Sequence, residues 1–515
     1  MKKKTPTKTT KQKTTRQQAQ QGGPAGRPAA NAANADKGVH PPDLTRMIRS
    51  WIVELFHDGD TAYATVAIKG QSRHVAVHDR AFTEWVQLTL VQKGRRALSD
   101  AQMKQVQTTL AGLARYQGPE HAVYLRVAPD DQPAAESIWI DLGTTPDQYV
   151  HVTAQGWQLH AAAPVRFRRP TDMRALPVPV TNGRVTALRP FVNTTNHGFW
   201  VIVAFMLAAL RPRGPYPILE LTGEMGSAKS TTARLVAALV DPTKSPLRGA
   251  IRDEQQLAVA AKHRHLVGLD NLSTISAHLS DSLCRMATGG SYSARKLYSD
   301  TDEVTVDLCR PCVINGITAL AERSDLADRS WSVELQALSP QKRQSESAYW
   351  AALDQQRPTI FGALLDGLVA ALANHQTVTL TNPGRLVDAE RWVAAAETGL
   401  HASTHTFAHS LRSSKVEVIW RVLDTHRALW DGLTRLPFLS GVWQGSVAEL
   451  HTAIRYAGTP RDLGQALARL GPTMEQAGLR VTKYRQGHTS VRGYRVEKVG
   501  GLVGIDGRGS EDDAA

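Results

Sequence analysis

The stretch LELTGEMGSAKSTTARLVAALVDP, residues 219–242, constrains the fold of this chain more than any other. A short apolar run breaks at two glycines, then reopens as a segment whose apolar residues recur at helical spacing. Gly223-x-x-Gly226-x-x-Lys229-Ser230 matches the phosphate-loop pattern G-x-x-x-x-G-K-[ST] except at Ala228, which stands where the second glycine belongs. Such a loop joins a buried strand to a helix N-terminus, so it calls for an α/β domain with a parallel sheet under covering helices. Its backbone N–H groups converge on phosphates, aided by the positive end of the helix. The residues expected to hold a nucleotide are Gly223, Glu224, Gly226, Ser227, Ala228, Lys229, Ser230 and Thr231. Lys229 reaches the outer phosphates and the Ser230 hydroxyl coordinates Mg²⁺. Ala228 leads directly into the helix, where right-handed dihedrals suit any L-residue, so a methyl group is expected to be harmless.

A metal-coordinating acid on a neighbouring strand completes such a site. HLVGLDN places Asp270 at the end of an apolar run. Its companion is Asn271 rather than a carboxylate, and an amide orients water without accepting its proton. Glu224 is a candidate to assist. CVINGI sets Asn315 at the tip of a third apolar strand, where it is either a water-holding amide or a strand-end turn residue. Arg329, in RSDLADRSWSVEL, is placed to cross a subunit boundary and stabilise charge on a neighbour's γ-phosphate, with Arg323 the second choice and surface ion pairing the alternative for both.

The chain's 515 residues allow two to four domains. Its net charge of +14 favours polyanionic partners, although residues 1–40 carry nine Lys/Arg and one Asp and so hold +8 of it. Three cysteines suit a reducing compartment, and Cys309–Cys312 lacks a second ligand pair for zinc and reads as two small hydrophobes in a buried strand. No apolar segment follows the basic start, and the longest apolar run, residues 199–210, is too short for a bilayer and reads as a core helix. A cytoplasmic protein without membrane contact is expected.

Residues 1–43 have the composition of a disordered basic tail. Residues 44–180 look like an α+β accessory domain, with a helix starting at a capping Asp100 and a Pro/Arg-rich connector at its end. Asp141 is a lone strand acid there, and no carboxylate pair suggests a second active site. Residues 181–375 alternate strand and helix, 376–414 form a helical connector, and 501–515 are a flexible tail. In 415–500, Ser446 caps one helix and Pro460 opens another, with Leu463, Leu467 and Leu470 on one face; two alternating strands follow. Helices followed by a hairpin make a winged helix, with Lys483, Arg485, Arg492 and Arg495 in or beside the wing, within reach of DNA phosphates; a protein–protein wing with scattered surface charge is the alternative.

Lys229, Asp270, Asn315 and Arg329 occur in the order of AAA+ ATPases. Their short spacing and the segments TGEMGSAKST, LDNLS, RKLYSDTDE, RPCVINGI and RSDLADR resemble superfamily 3 helicases of the phage and prophage replication type. The likeness covers about residues 45–480 and is strongest over 196–335. It implies a ring, usually a hexamer, with ATP and Mg²⁺ at the subunit boundaries. It also implies a hairpin before the Asn315 strand that touches DNA, where Arg295 and Lys296 meet phosphates and Tyr298 either stacks on a base or packs the hairpin. The function expected is an ATP-driven DNA helicase or translocase replicating a mobile element. A non-unwinding AAA+ switch that binds DNA, such as an initiator, loader or defence ATPase, fits Asn271 better. A regulatory DNA-binding protein with a vestigial site is the third reading, opposed by the intact Lys229–Ser230 pair.

Overall fold

The computed structural model of the chain describes residues 41–131, 136–249, 251, 253–295, 303–317, 320, 323–339, 341, 343–485 and 492–501. The expected basic tail, residues 1–43, lies almost entirely outside them.

The first unit joins helix α1 (Pro41–Arg49), an antiparallel meander of β1 (Ile52–Asp58), β2 (Thr61–Ile68) and β3 (Gln71–Ala76), and helices α2 (Arg80–Gln92) and α3 (Asp100–Gln117). The α3 cap is Ser99 rather than Asp100: Ser99 Oγ accepts from Gln102 N while the Gln102 side chain returns to Ser99 N, a reciprocal capping box. Val66, Phe82, Leu90, Leu110 and Ala114 form this unit's core.

A second set of short strands follows: β4 (Val123–Tyr124), β5 (Val127–Pro129), β6 (Ile138–Asp141), β7 (Tyr149–Thr153), β8 (Gly156–His160) and β9 (Arg166–Phe167). β5 to β8 make an antiparallel sheet in chain order. Its apolar face does not close on the first unit. Val127, Ile140, Val150 and Leu176 join the same core as the central helices, so the expected boundary near residue 180 cuts through one hydrophobic cluster. A buried ion pair fixes the join. Arg126, wholly buried, donates to Asp241 Oδ1 at 3.0 Å and to the carbonyls of Asp141, Arg174 and Pro242. The other Asp241 oxygen accepts from the backbone N–H groups of His265 and Leu266. Asp141 is gripped by Arg169 through both carboxylate oxygens, which makes it structural.

The centre of the chain runs α4 (Asn196–Ala209), β10 (Ile218–Thr222), α5 (Lys229–Val240), β11 (Leu247–Arg248), α6 (Glu254–His263), β12 (Val267–Leu272), α7 (Ala277–Thr288), β13 (Ser291–Arg295), β14 (Glu303–Asp307), β15 (Cys312–Gly316), α8 (Ser324–Ala327), β16 (Ser330–Glu334) and α9 (Glu346–Asn374). Five of these strands form a parallel sheet in the order β11-β12-β15-β10-β16. Their apolar residues divide with a period of two. Leu219, Leu221, Val313 and Val333 pack toward α4 and α5, while Ile218, Val267, Leu269, Cys312 and Ile314 pack toward α6 and α7. α4 is buried along most of its length, as its apolar run requires. The run containing both cysteines is not one strand: Cys309 lies between β14 and β15, and Cys312 opens β15. Burial raises both thiols, to about 11 and about 12, so they stay protonated.

The chain continues through α10 (Val387–Ala396), α11 (Thr406–Thr425), α12 (Arg427–Thr434), β17 (Val442–Ser446), α13 (Val447–Ala453), α14 (Pro460–Gln476), β18 (Leu479–Arg485) and β19 (Arg492–Lys498). α11 crosses the expected boundary at 414/415, packing on α4 and β16 at one end and on α12 and α14 at the other. Ser446 caps α13 in a box with Glu449, and Thr459 caps α14 in a box with Asp462, ahead of Pro460. Leu463, Leu467 and Leu470 are buried together. β17 and β18 flank β19 in an antiparallel sheet.

Among the described residues no helix is long and apolar enough to cross a membrane.

Candidate nucleotide-binding site

In a parallel sheet, loops at the carboxyl ends of the strands gather into one crevice. Here β10 delivers the glycine loop, β12 delivers Asp270 and β15 delivers Asn315. Gly223 has φ +144°, and a Cβ there would sit 2.4 Å from the Leu335 carbonyl oxygen, so the end of β16 leaves room for glycine alone. Gly226, at φ +80°, turns the loop in open space.

Ala228 overturns the sequence reading. Its φ is +65° and ψ +29°, the left-handed conformation, and the helix begins only at Lys229. The pattern wants glycine here because the backbone must coil the opposite way before entering α5. A Cβ in that region costs roughly 1–2 kcal/mol. The loop holds its shape despite the methyl group.

Lys229 folds back over the loop. Its Nζ donates to the carbonyls of Gly223 at 2.8 Å and Glu224 at 2.7 Å and lies 3.4 Å from Ser227 Oγ. Partial burial holds the ammonium below the ordinary lysine value, with Asp270 pulling the other way. Ser230 Oγ donates to Asp270 Oδ1 at 2.7 Å, and Asn315 Nδ2 donates to the same oxygen at 2.7 Å. Asn315 is buried, and its Oδ1 accepts from Asn271 N at 2.8 Å. Lys229, Ser230, Asp270 and Asn315 therefore meet in one place, built from three adjacent strands. A hydroxyl and a carboxylate oxygen 2.7 Å apart are hard donors of the kind Mg²⁺ takes.

Asn271 has a backbone reason for its identity. Its φ is +56°, and the β12–β15 register shifts between Leu269 and Leu272. Asparagine tolerates left-handed backbone better than other non-glycine residues, so the bulge selects an amide where a carboxylate companion was sought. Its side chain is exposed. Glu224 is also exposed, and among the described residues its carboxylate makes no hydrogen bond or ion pair. Thr231 follows in the first turn of α5.

Arg329 does not join this group. It precedes β16 at the amino end of the sheet, where its carbonyl accepts from Ile218 N. Its side chain is 10% exposed, and Nη1 donates to the Asp325 carbonyl at 2.7 Å and carboxylate at 3.1 Å. In the single chain Asp325 holds the Arg329 guanidinium against its own subunit. Arg323 is 46% exposed and pairs with Asp281 at 3.0 Å.

Two residues escaped the sequence reading. Arg421, on α11, donates to Thr222 Oγ1, one residue before the loop, and its Nε lies 3.2 Å from Glu334. It is 199 positions from Thr222, beyond any local pattern. Glu220, buried inside β10, accepts from Leu320 N and Ser332 Oγ, tying β10 to its surroundings. A charge amid ILELT was the available signal.

Of the nucleic-acid candidates, β13 and β14 do form the antiparallel hairpin ahead of β15. Lys296 and Tyr298 lie outside the described residues, and Arg295 ends β13 with only its backbone described. Lys483 on β18 is exposed, and Arg495 on β19 is exposed and paired with Glu497. Arg485 and Arg492 face each other in the β18–β19 backbone register.

Comparison with known proteins yields a family match over residues 182–415, described as actinomycete integrative conjugative element replication protein. No curated protein matches the chain. Among solved structures, the C-terminal region of NrS-1 in its apo A form aligns at 11% identity and TM-score 0.38, covering 89% of this chain and 99% of that one. A JCV helicase structure aligns at 14% identity and TM-score 0.25, covering 45% and 63%.

Proposed function

We propose that this protein is an ATP-driven, ring-forming DNA helicase or translocase that replicates a mobile element. The observation that carries the reading is the convergence of Ser230 and Asn315 on one oxygen of Asp270, beside a lysine-closed glycine loop. That is an arrangement for binding Mg²⁺ and a triphosphate and for reporting through Asn315 whether the outer phosphate is present. The match over residues 182–415 to replication proteins of integrative conjugative elements supports the biological setting. Ser230 and Asp270 would hold Mg²⁺, which draws charge from the phosphates. Lys229 would leave its carbonyl partners for phosphate oxygens. In a ring, Arg323 is the cation already at the surface, and Arg329 serves only if Asp325 releases it.

For residues 427–498 we propose a winged helix. The order α12, β17, α13, α14, β18, β19 with β17 paired to β19 supports it, and Lys483 and Arg495 would approach phosphates from the wing. The β13–β14 hairpin, whose first strand ends at Arg295 with Lys296 and Tyr298 following in the sequence, is the proposed contact with a single strand.

A non-unwinding AAA+ switch is the second reading, favoured by Asn271: the residue that follows Asp270 is an amide, which does not take a proton from water. ATP hydrolysis measured with and without single-stranded DNA, alongside unwinding of a forked duplex, decides between them. DNA-stimulated hydrolysis with strand separation supports the motor. Hydrolysis without separation supports the switch. Absence of nucleotide binding in the wild type refutes both.

A further inference from the structure

β11 is the outer strand of the parallel sheet, next to the strand that carries Asp270, and beside it lies a cavity of about 630 Å³ that is not lined by the glycine loop. Ser245, Arg248, Gln255, Gln256 and Arg264 contribute its polar lining. Arg264 is 5% exposed, donating to Thr243 Oγ1 at 2.9 Å, the Ser245 carbonyl at 2.5 Å and Asp172 at 2.7 Å. Its Nε is buried with no hydrogen-bond partner among the described residues. Arg248 is half-buried and makes no hydrogen bond or ion pair among those residues. Burial, then the charge of Arg264, holds Arg248 below the ordinary arginine value, with Asp172 opposing. One carboxylate thus answers two guanidiniums, and Arg264 has claimed it. Asp253 is turned to the first turn of α6, accepting from Gln256 N at 2.8 Å, and Glu254 is engaged by Arg285. A half-buried cation without a partner beside a buried donor without an acceptor is costly unless an anion supplies both.

We propose that this pocket binds a phosphate group, with Arg248 as its main cation and Arg264 Nε as a second donor, and that the phosphate belongs to a polynucleotide backbone. The choice of polynucleotide rests on the function proposed above; the phosphate chemistry does not. The Arg248 guanidinium offers a planar set of N–H donors suited to tetrahedral oxyanions. Each backbone phosphate neutralised by a protein cation releases counterions, which makes the site measurable by its salt dependence.

The test uses the full chain. Binding of a labelled single-stranded oligonucleotide is followed by fluorescence anisotropy across a salt series, and binding of inorganic phosphate by calorimetry. Arg248→Glu is expected to weaken oligonucleotide binding about three- to tenfold and to flatten the log–log salt slope by about 0.7. Arg248→Lys is expected to keep most of the slope, and nucleotide affinity at Lys229 should stay unchanged in both. Loss of inorganic phosphate binding in Arg248→Glu with an unchanged oligonucleotide slope would keep the phosphate pocket and assign it to the free ion. Unchanged slope together with unchanged phosphate binding overturns the proposal. If the wild type binds no oligonucleotide, the proposed function fails, and the phosphate titration still decides the pocket. Should Arg248→Glu melt early, Arg248→Gln replaces it, with a slope change of the same sign.

Discussion

Ala228 and Asp270 give the sharpest tests at the level of single residues. Ala228 sits where only glycine is free of strain, so Ala228→Gly removes a steric cost of roughly 1–2 kcal/mol, partly offset by the greater freedom of glycine in the unfolded chain. The expected outcome is a small gain, under about 1 kcal/mol, in the free energy of unfolding, read from denaturant melts; a loss of stability would mean that the loop relaxes on its own. Asp270 accepts two hydrogen bonds on one oxygen, so Asp270→Asn reverses the donor pattern toward Ser230 and Asn315. Hydrolysis should fall on the order of a hundredfold, with ATP still binding through Lys229. Equal loss of binding and turnover in that variant would place Asp270 in the fold rather than in the chemistry.

The elements show which parts of the site could be read from sequence and which could not. The β10–loop–α5 unit was legible because its signals are local: an apolar strand, glycines and a periodic helix. β12 and β15 were found for the same reason, as apolar runs ending in Asp270 and Asn315. The handedness at Ala228 was missed because a near-match to a motif says nothing of φ. The bulge at Asn271 depends on register with β15, which is a property of two strands. Arg421 was invisible because α11 reaches Thr222 from another part of the chain. That bond has its own test. If α11 braces the loop, Arg421→Ala and Thr222→Val should each lower stability and nucleotide affinity, and the double variant should cost less than their sum by about 1 kcal/mol. Strict additivity would show that the contact carries no energy.

Across the whole molecule, a half-buried and a buried histidine link stability to acidity. His74 in the first unit and His265 beside Asp241 are both held down to about 4 by desolvation, from an ordinary 6.5. A native-state value below the unfolded one means that the unfolded chain takes up more protons, so stability is intact above pH 6.5 and declines as pH falls toward 4. Each site contributes at most about 3 kcal/mol of that decline. Urea midpoints measured between pH 7 and 4.5 should drop progressively, and a flat profile would contradict the desolvation of both rings. Assembly is tested at the same scale. If copies complete one another's sites, Arg323→Ala subunits mixed into wild type should depress hydrolysis by more than their mole fraction, and a strictly proportional loss argues for self-sufficient subunits.

The Arg126–Asp241 pair dictates where the chain can be cut. A fragment beginning at residue 181, the point suggested by the Pro/Arg-rich connector, would discard the guanidinium and leave the Asp241 charge enclosed, and would strip β5 to β8 from the helices they cover. Separating such a pair costs about 3–5 kcal/mol before the bared apolar surface is counted. A piece that keeps the pair must therefore begin before Arg126, and the sheet of β5 to β8 travels with the parallel sheet and its helices as an inseparable flank.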